Sequence, residues 1–180
     1  MVVTVPGHHR SRKRPVARAS LRRGFTLIEL LITVAILAIL SIVAVPSFNE
    51  AILSNKLTSF ANNFVASAQL ARSEAIKRNG TVTLCRSADG ATCAASGGWQ
   101  QGWIVMSGAT VIQRQQALSQ DYLFTGDVYS IAFQSIGAGA TSATLKLCRA
   151  TPSPGSQERE IIVSATGRTS VSTKRTGACS

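Results

Sequence analysis

Hydrophobic and polar positions fall into three successive patterns along the chain. Residues 30–49 carry no charge and consist mostly of Leu, Ile, Val and Ala. Wound as a helix rising 1.5 Å per residue, such a run reaches across a bilayer core of roughly 30 Å. Beyond it Leu53, Leu57, Phe60, Phe64, Ala68, Ala71 and Ala75 recur at intervals of three and four, which predicts that the helix continues with one apolar stripe turned to a core. Lys77 and Arg78 followed by Asn79-Gly80 form a helix stop: basic residues complement the carboxy-terminal dipole and the Asn-Gly pair permits a left-handed cap. After Gly80 the period shortens to that of strands, at 81–86, 102–106, 110–114, 128–133, 144–149 and 160–164. Residues 96–98 and 137–142 read as turns and 151–155 as an exposed loop. The pattern predicts an α+β fold, a long amino-terminal helix followed by a β-rich domain.

Charge adds a direction. The chain has 19 Lys and Arg against 8 Asp and Glu, a net +11. Seven of those cations (Arg10, Arg12, Lys13, Arg14, Arg18, Arg22 and Arg23) precede residue 25, which leaves only +4 on the rest. A basic leader directly before an apolar span predicts a cytoplasmic amino terminus and a carboxy-terminal domain on the far side of the membrane. A buried core helix would leave the leader's charge unexplained. A removable secretory signal would use Ser41, Ala44 or Ser47 as its small residues. Glu29 fits neither alternative, because a carboxylate inside an apolar run costs about 2.5 kcal/mol or more unless it finds a partner. With 45% hydrophobic and 15% charged residues, the composition excludes a disordered chain.

The stretch Arg23-Gly24-Phe25-Thr26-Leu27-Ile28-Glu29-Leu30-Leu31 resembles the class III signal of type IV pilins and type II secretion pseudopilins. The resemblance implies that a prepilin peptidase cuts after Gly24, that the new terminal amine of Phe25 is methylated, and that the apolar segment is retained. Glu29 then falls at the family's acidic position, which pairs with the terminal amine of a neighbouring subunit. A low dielectric strengthens that attraction and makes loss of one partner costly, so the pair can set subunit register. Pro46 falls at the family's helix-kinking proline. The segment 64–79 leading into Val82-Thr83-Leu84-Cys85 resembles the FimT/GspH branch of minor pilins and pseudopilins. That branch implies a sandwich-like domain packed on the second half of the helix. The expected organisation is a leader at 1–24 that is removed, a helix at 25–79 that spans the membrane in its first half, and a periplasmic β-rich domain at 80–180.

Cys85, Cys93, Cys148 and Cys179 all lie in the part expected to reach the oxidising periplasm, where disulfides persist. Four cysteines allow three pairings. The favoured one joins Cys85 to Cys93 around Asp89-Gly90, and Cys148 to Cys179. A zinc site competes poorly, since the spacings are not CxxC and the histidines, His8 and His9, lie in the leader. Without a later histidine no Ser-His-Asp or Cys-His site can form, and no phosphate loop or dinucleotide fingerprint occurs. Asp121 and Asp127, about an expected turn at Gly126, are the acidic pair to weigh for glycoside hydrolysis, against the ordinary use of acids in turns. The expectation is a chain with no enzymatic activity, metal or cofactor.

Residues 167–179 carry Arg168, Lys174 and Arg175 and no acid. The stretch resembles the carboxy-terminal segment with which FimT-type pilins of natural transformation bind DNA through a Gly-Arg-x-Arg motif. Gly167 and Arg168 match, while Ser170 replaces the second arginine. Three phosphate contacts would give a salt slope of about −2 to −3; a solvated basic tail is the alternative. The reading as a whole is a minor pilin-like subunit of a type IV pilus, active in assembly and in DNA uptake. Its partners would be other pilins, the prepilin peptidase, the inner membrane and double-stranded DNA. The alternatives are a GspH-type pseudopilin of a type II secretion system and a monomeric, membrane-anchored periplasmic binding protein.

Overall fold

A computed structural model describes residues 24–150 and 158–174. Residues 1–23 of the leader lie outside the described residues, as do the expected loop at 151–155, Arg175 and Cys179. The long helix α1 runs from Leu27 to Arg78, 52 residues, with Pro46 inside it. The chain divides into two compact units between Ala44 and Val45.

In the first unit the described side chains of α1 are all exposed, among them Leu30, Leu31, Ile32, Val34, Ile36, Leu37, Ile39 and Leu40. This is the one helix among the described residues that is long and apolar enough to cross a membrane. In the second unit α1 acquires a buried face. Leu57, Ala61, Phe64, Ala68, Ala71 and Ala75 are fully buried, so the stripe expected from periodicity is the core face. The helix ends in a Schellman cap: Gly80 N–H donates to Ala75 O at 3.1 Å and Asn79 N–H to Ile76 O at 3.2 Å, with Asn79 at φ 48°. Asn is one of the few non-glycine residues that visits this conformation readily.

Among the described residues eight strands follow: β1 Val82–Arg86, β2 Trp103–Ser107, β3 Thr110–Gln115, β4 Tyr122–Gly126, β5 Ser130–Phe133, β6 Ala143–Arg149, β7 Glu158–Val163 and β8 Thr169–Lys174. They form two four-stranded sheets, in the orders β3-β2-β1-β5 and β4-β6-β7-β8. Each pairing is antiparallel, and a bulge between Val105 and Met106 breaks the β2–β3 register. Inward residues of both sheets, including Leu84, Val105, Ile131, Phe133, Leu145, Leu147 and Ile161, join the helix stripe in one core. Phe64 is its centre, with ring centroids of Trp99, Phe124 and Trp103 at 5.2, 5.2 and 5.5 Å in edge-to-face contact.

Six of the strands lie where the period-two pattern placed them, and two do not. The expected turn at Gly126 is the end of β4, whose run of Tyr-Leu-Phe gives no alternation to read. The expected basic tail is, through Lys174, strand β8. It is an edge strand exposed along most of its length, so it lacks the apolar alternation that marks a half-buried strand, and only its Thr and Val content favours the extended form.

Candidate functional site

The residues of the amino-terminal signature stand at the start of α1. Thr26 Oγ1 accepts a hydrogen bond from Glu29 N–H at 3.3 Å, and Thr26 O accepts from Leu30 N–H at 3.1 Å. Thr26 is thus the helix cap and Glu29 the third residue inside it, the spacing of a capping box. The carboxylate also stands at the positive end of the helix dipole. A Thr-x-x-Glu signal for this cap is present in the sequence alongside the pilin signature. Phe25 is exposed, and Gly24, Phe25, Thr26 and Glu29 line one open cleft.

The second unit is pinned by polar contacts among its buried residues. Cys85 and Cys93 form a disulfide with Cα atoms 5.5 Å apart. Within the loop it closes, Asp89 accepts from the Thr92 and Ala91 amides at 2.8 Å each, and from the Thr92 and Ser87 hydroxyls. The Thr92 amide, followed by these other donors, holds the Asp89 carboxyl well below the usual carboxylate range. Buried Arg86 organises the rest of the loop, donating to the carbonyls of Ala94, Ala95 and Gly97 and stacking 3.8 Å over the Tyr129 ring. Cys148 is also disulfide-bonded; its expected partner, Cys179, lies outside the described residues.

Two arginines of sheet β4-β6-β7-β8 reach the helix, a contact that periodicity gives no hint of. Arg149 pairs with Glu50 at 3.2 Å, and Arg159 donates to Ser54 and Thr58 hydroxyls at 3.1 Å each. Glu50, Ser54 and Thr58 are spaced by four, so they share one helix face. On the same helix Ser67 accepts from the buried Trp103 indole at 3.0 Å.

The expected basic patch is redistributed. Arg168 and Lys174 stand at opposite ends of β8, six residues and so about 20 Å apart. Lys174 is neutralised by Glu160 across the strand pair at 2.7 Å. Arg168, which is exposed, lies instead beside Arg72 of α1, and both line a cleft with Gln69, Ser73, Gly167 and Thr169. Arg72 was not among the expected site residues; its sequence signal is only that it flanks the Ala68, Ala71 and Ala75 stripe. The two acids weighed for catalysis are likewise apart. Asp121 and Asp127 flank the five residues of β4, about 20 Å along the strand, far beyond the spacing of a carboxylate pair. Asp127 accepts from the Thr144 amide at 3.0 Å, a structural tie between β6 and the loop that follows β4. Among the described residues no cluster of metal-ligating side chains occurs.

A family model described as Type II transport protein GspH matches residues 61–167, more than half of the chain. The chain belongs to the GspH family. The prokaryotic N-terminal methylation motif matches residues 20–45 of this family member, a span that contains Gly24, Phe25 and Glu29. Among solved structures, the type IV minor pilin FimU of Pseudomonas aeruginosa is similar with a TM-score of 0.53 at 19% identity, over 66% of this chain and 89% of that one. A second crystal form of FimU gives 0.51 at 20% identity, over 64% and 92%. The minor pseudopilin EpsH from the type 2 secretion system of Vibrio cholerae gives 0.46 at 15% identity, over 65% and 96%. The likeness to FimU is one of fold, a long helix bearing a two-sheet antiparallel domain. No curated protein matches the chain. The resemblance to the FimT/GspH branch is thus borne out, and the family the chain belongs to is one of type II transport proteins, not of enzymes.

Proposed function

We propose that this GspH-family chain is a minor pilin, made as a precursor, cut after Gly24, methylated on Phe25 and assembled with other pilins through α1. The observation that carries the reading is the pairing of that signature with a helix segment whose apolar side chains are exposed among the described residues. Such a segment needs lipid before assembly and neighbouring helices after it, which supports inner-membrane anchoring with the domain in the periplasm. Within the fibre, Glu29 pairs with the Phe25 amine of the next subunit, and Pro46 bends the helix. The leader at 1–24 is the part removed; the disulfides stabilise the exported domain.

Expression with a prepilin peptidase tests the first step. The mature chain should have the mass of residues 25–180 plus one methyl group, and Gly24→Val should leave the precursor uncut. Glu29→Ala should be cut normally yet be absent from purified fibres. Function that stays intact in Glu29→Ala, with the chain absent from fibres, would instead fit a monomeric anchored binding protein.

The pilus is preferred over a secretion pseudopilus because Arg168 and Arg72 leave a cationic surface able to meet DNA during uptake. The second reading, a type II secretion pseudopilin, is favoured by the description of the matching family. Deleting the gene separates them: loss of transformation and piliation supports the pilus, whereas loss of exoprotein secretion with pili intact supports the pseudopilus.

A further inference from the structure

The cleft between α1 and the turn joining β7 to β8 encloses about 360 Å³ and is lined by Gln69, Arg72, Ser73, Gly167, Arg168 and Thr169. Arg72 is held there by construction. Its Nε donates to Gly137 O at 2.9 Å, which fixes the guanidinium plane. Gly167, at φ 73°, lets the turn approach: a Cβ there would stand 3.3 Å from Arg72 Cδ and Nε. The turn itself is closed by Gly167 N–H to Ser164 O at 2.8 Å.

The charge of the cleft is unanswered. Glu74, the acid nearest Arg72 in sequence, is engaged by Lys77 at 2.9 Å and Arg78 at 2.7 Å. Neither Arg72 nor Arg168 has an ion-pair partner among the described residues. Two guanidiniums that line one open cleft without a carboxylate offer an oxyanion a charge-assisted site.

We propose that this cleft is a phosphate site, in which Arg72 and Arg168 grip one phosphoryl group and the Ser73 and Gln69 side chains supply further hydrogen bonds. Two guanidiniums with hydroxyl and amide donors around one point suit a tetrahedral group with several acceptor oxygens. The phosphoryl group is either free phosphate or one phosphodiester of a nucleic acid backbone. The second source deepens the DNA part of the reading above and rests on it. One phosphodiester neutralised by both guanidiniums contributes about −1 to the salt slope of duplex binding.

The test uses the full chain in an uncharged detergent and phosphate-free buffer, titrated calorimetrically with sodium phosphate and, separately, by band shift with a short DNA duplex across a salt series. Arg72→Ala and Arg168→Ala should each weaken phosphate binding about tenfold or more, as expected for loss of a charged hydrogen-bond donor. Arg72→Lys should also weaken it, because an ammonium keeps the charge but loses the planar fork. Lys174→Ala should leave it unchanged. Melting followed by tryptophan fluorescence checks that each variant is folded. Phosphate binding with this dependence and no duplex shift upholds the site and removes the DNA reading. A duplex shift that ignores Arg72→Ala and Arg72→Lys overturns the site and leaves the DNA reading to Arg168 and residues elsewhere. Absence of saturable phosphate binding by the unaltered chain overturns the site outright.

Discussion

The two halves of α1 are built from similar residues yet make opposite use of them. Up to Ile52 the helix is richer in Leu, Ile and Val than any other part of the chain, and the described side chains among them are exposed. Between Leu57 and Ala75 it is less apolar, but its stripe is completely buried against both sheets. Hydrophobicity alone therefore does not mark the core. The difference lies in periodicity: an all-round apolar helix asks for lipid or neighbouring copies, whereas a one-sided stripe asks for the chain's own domain. The small residues Ala68, Ala71 and Ala75 add to this by letting the sheets come close.

The largest effect that could break this comparison comes from the aromatic centre. Phe64→Ala should cost about 3–5 kcal/mol of domain stability, since three rings lose their common neighbour. Ile36→Ala, an equally apolar residue of the exposed half, should shift the same transition by less than about 0.5 kcal/mol. The two tryptophans of the chain, Trp99 and Trp103, both lie in the domain core, so their fluorescence during chemical unfolding reports the domain without interference from the apolar half. Equal effects of the two substitutions would refute the division.

Next comes the disulfide. Replacing Cys85 and Cys93 with Ser should remove about 2–3 kcal/mol in the same assay, the loop-closure term for so short a ring. Glu29-dependent assembly should be retained if the exposed half works independently of the domain's stability margin.

Ser67→Ala sharpens the comparison at one hydrogen bond. It deletes the acceptor of the buried Trp103 indole and should cost about 1–3 kcal/mol, because the donor is left unsatisfied. A substitution such as Ser41→Ala, whose hydroxyl bonds only its own helix backbone, should be nearly silent in the domain's unfolding. Near-equality of Ser67→Ala and Ser41→Ala would mean that the indole finds another acceptor.

Much of this contrast is legible in the sequence. The stripe from Leu57 to Ala75, the stop at Asn79-Gly80 and six strands follow from spacing, because each reflects a local periodicity or a local backbone conformation. What was not legible depends on partners distant in sequence. Glu50 with Arg149, Ser67 with Trp103 and Lys174 with Glu160 are joined across 99, 36 and 14 residues. The error over the tail has the same root: Arg168, Lys174 and Arg175 are neighbours in sequence, but an extended strand separates Arg168 from Lys174, and its pairing with β7 neutralises Lys174. Arg72 was missed because only the β7–β8 turn, 95 residues later, gives it a companion.

The smallest expected effect is in pH dependence, and it too divides the molecule. Asp89 and Glu74 both have carboxyls held below the ordinary range. For Asp89 the cause is chiefly the Thr92 amide; for Glu74 it is the hydrogen bond from Lys77 and then that from Arg78. A carboxyl whose folded value lies below its unfolded one contributes stability that is complete above the unfolded value and is lost as pH falls toward the folded one. The domain's melting temperature should therefore hold steady from neutrality to about pH 5 and decline below about pH 4, where unfolded carboxylates take up protons. Asp89→Asn, which keeps an acceptor oxygen but cannot titrate, should melt lower at neutral pH and lose less on acidification; Glu74→Gln should behave alike, to a smaller degree because its partners are more exposed. If unaltered chain and Asp89→Asn decline in parallel between pH 5 and pH 3, the acid sensitivity belongs to other carboxylates, and the loop closed by Cys85 and Cys93 stands on its disulfide and Arg86 alone.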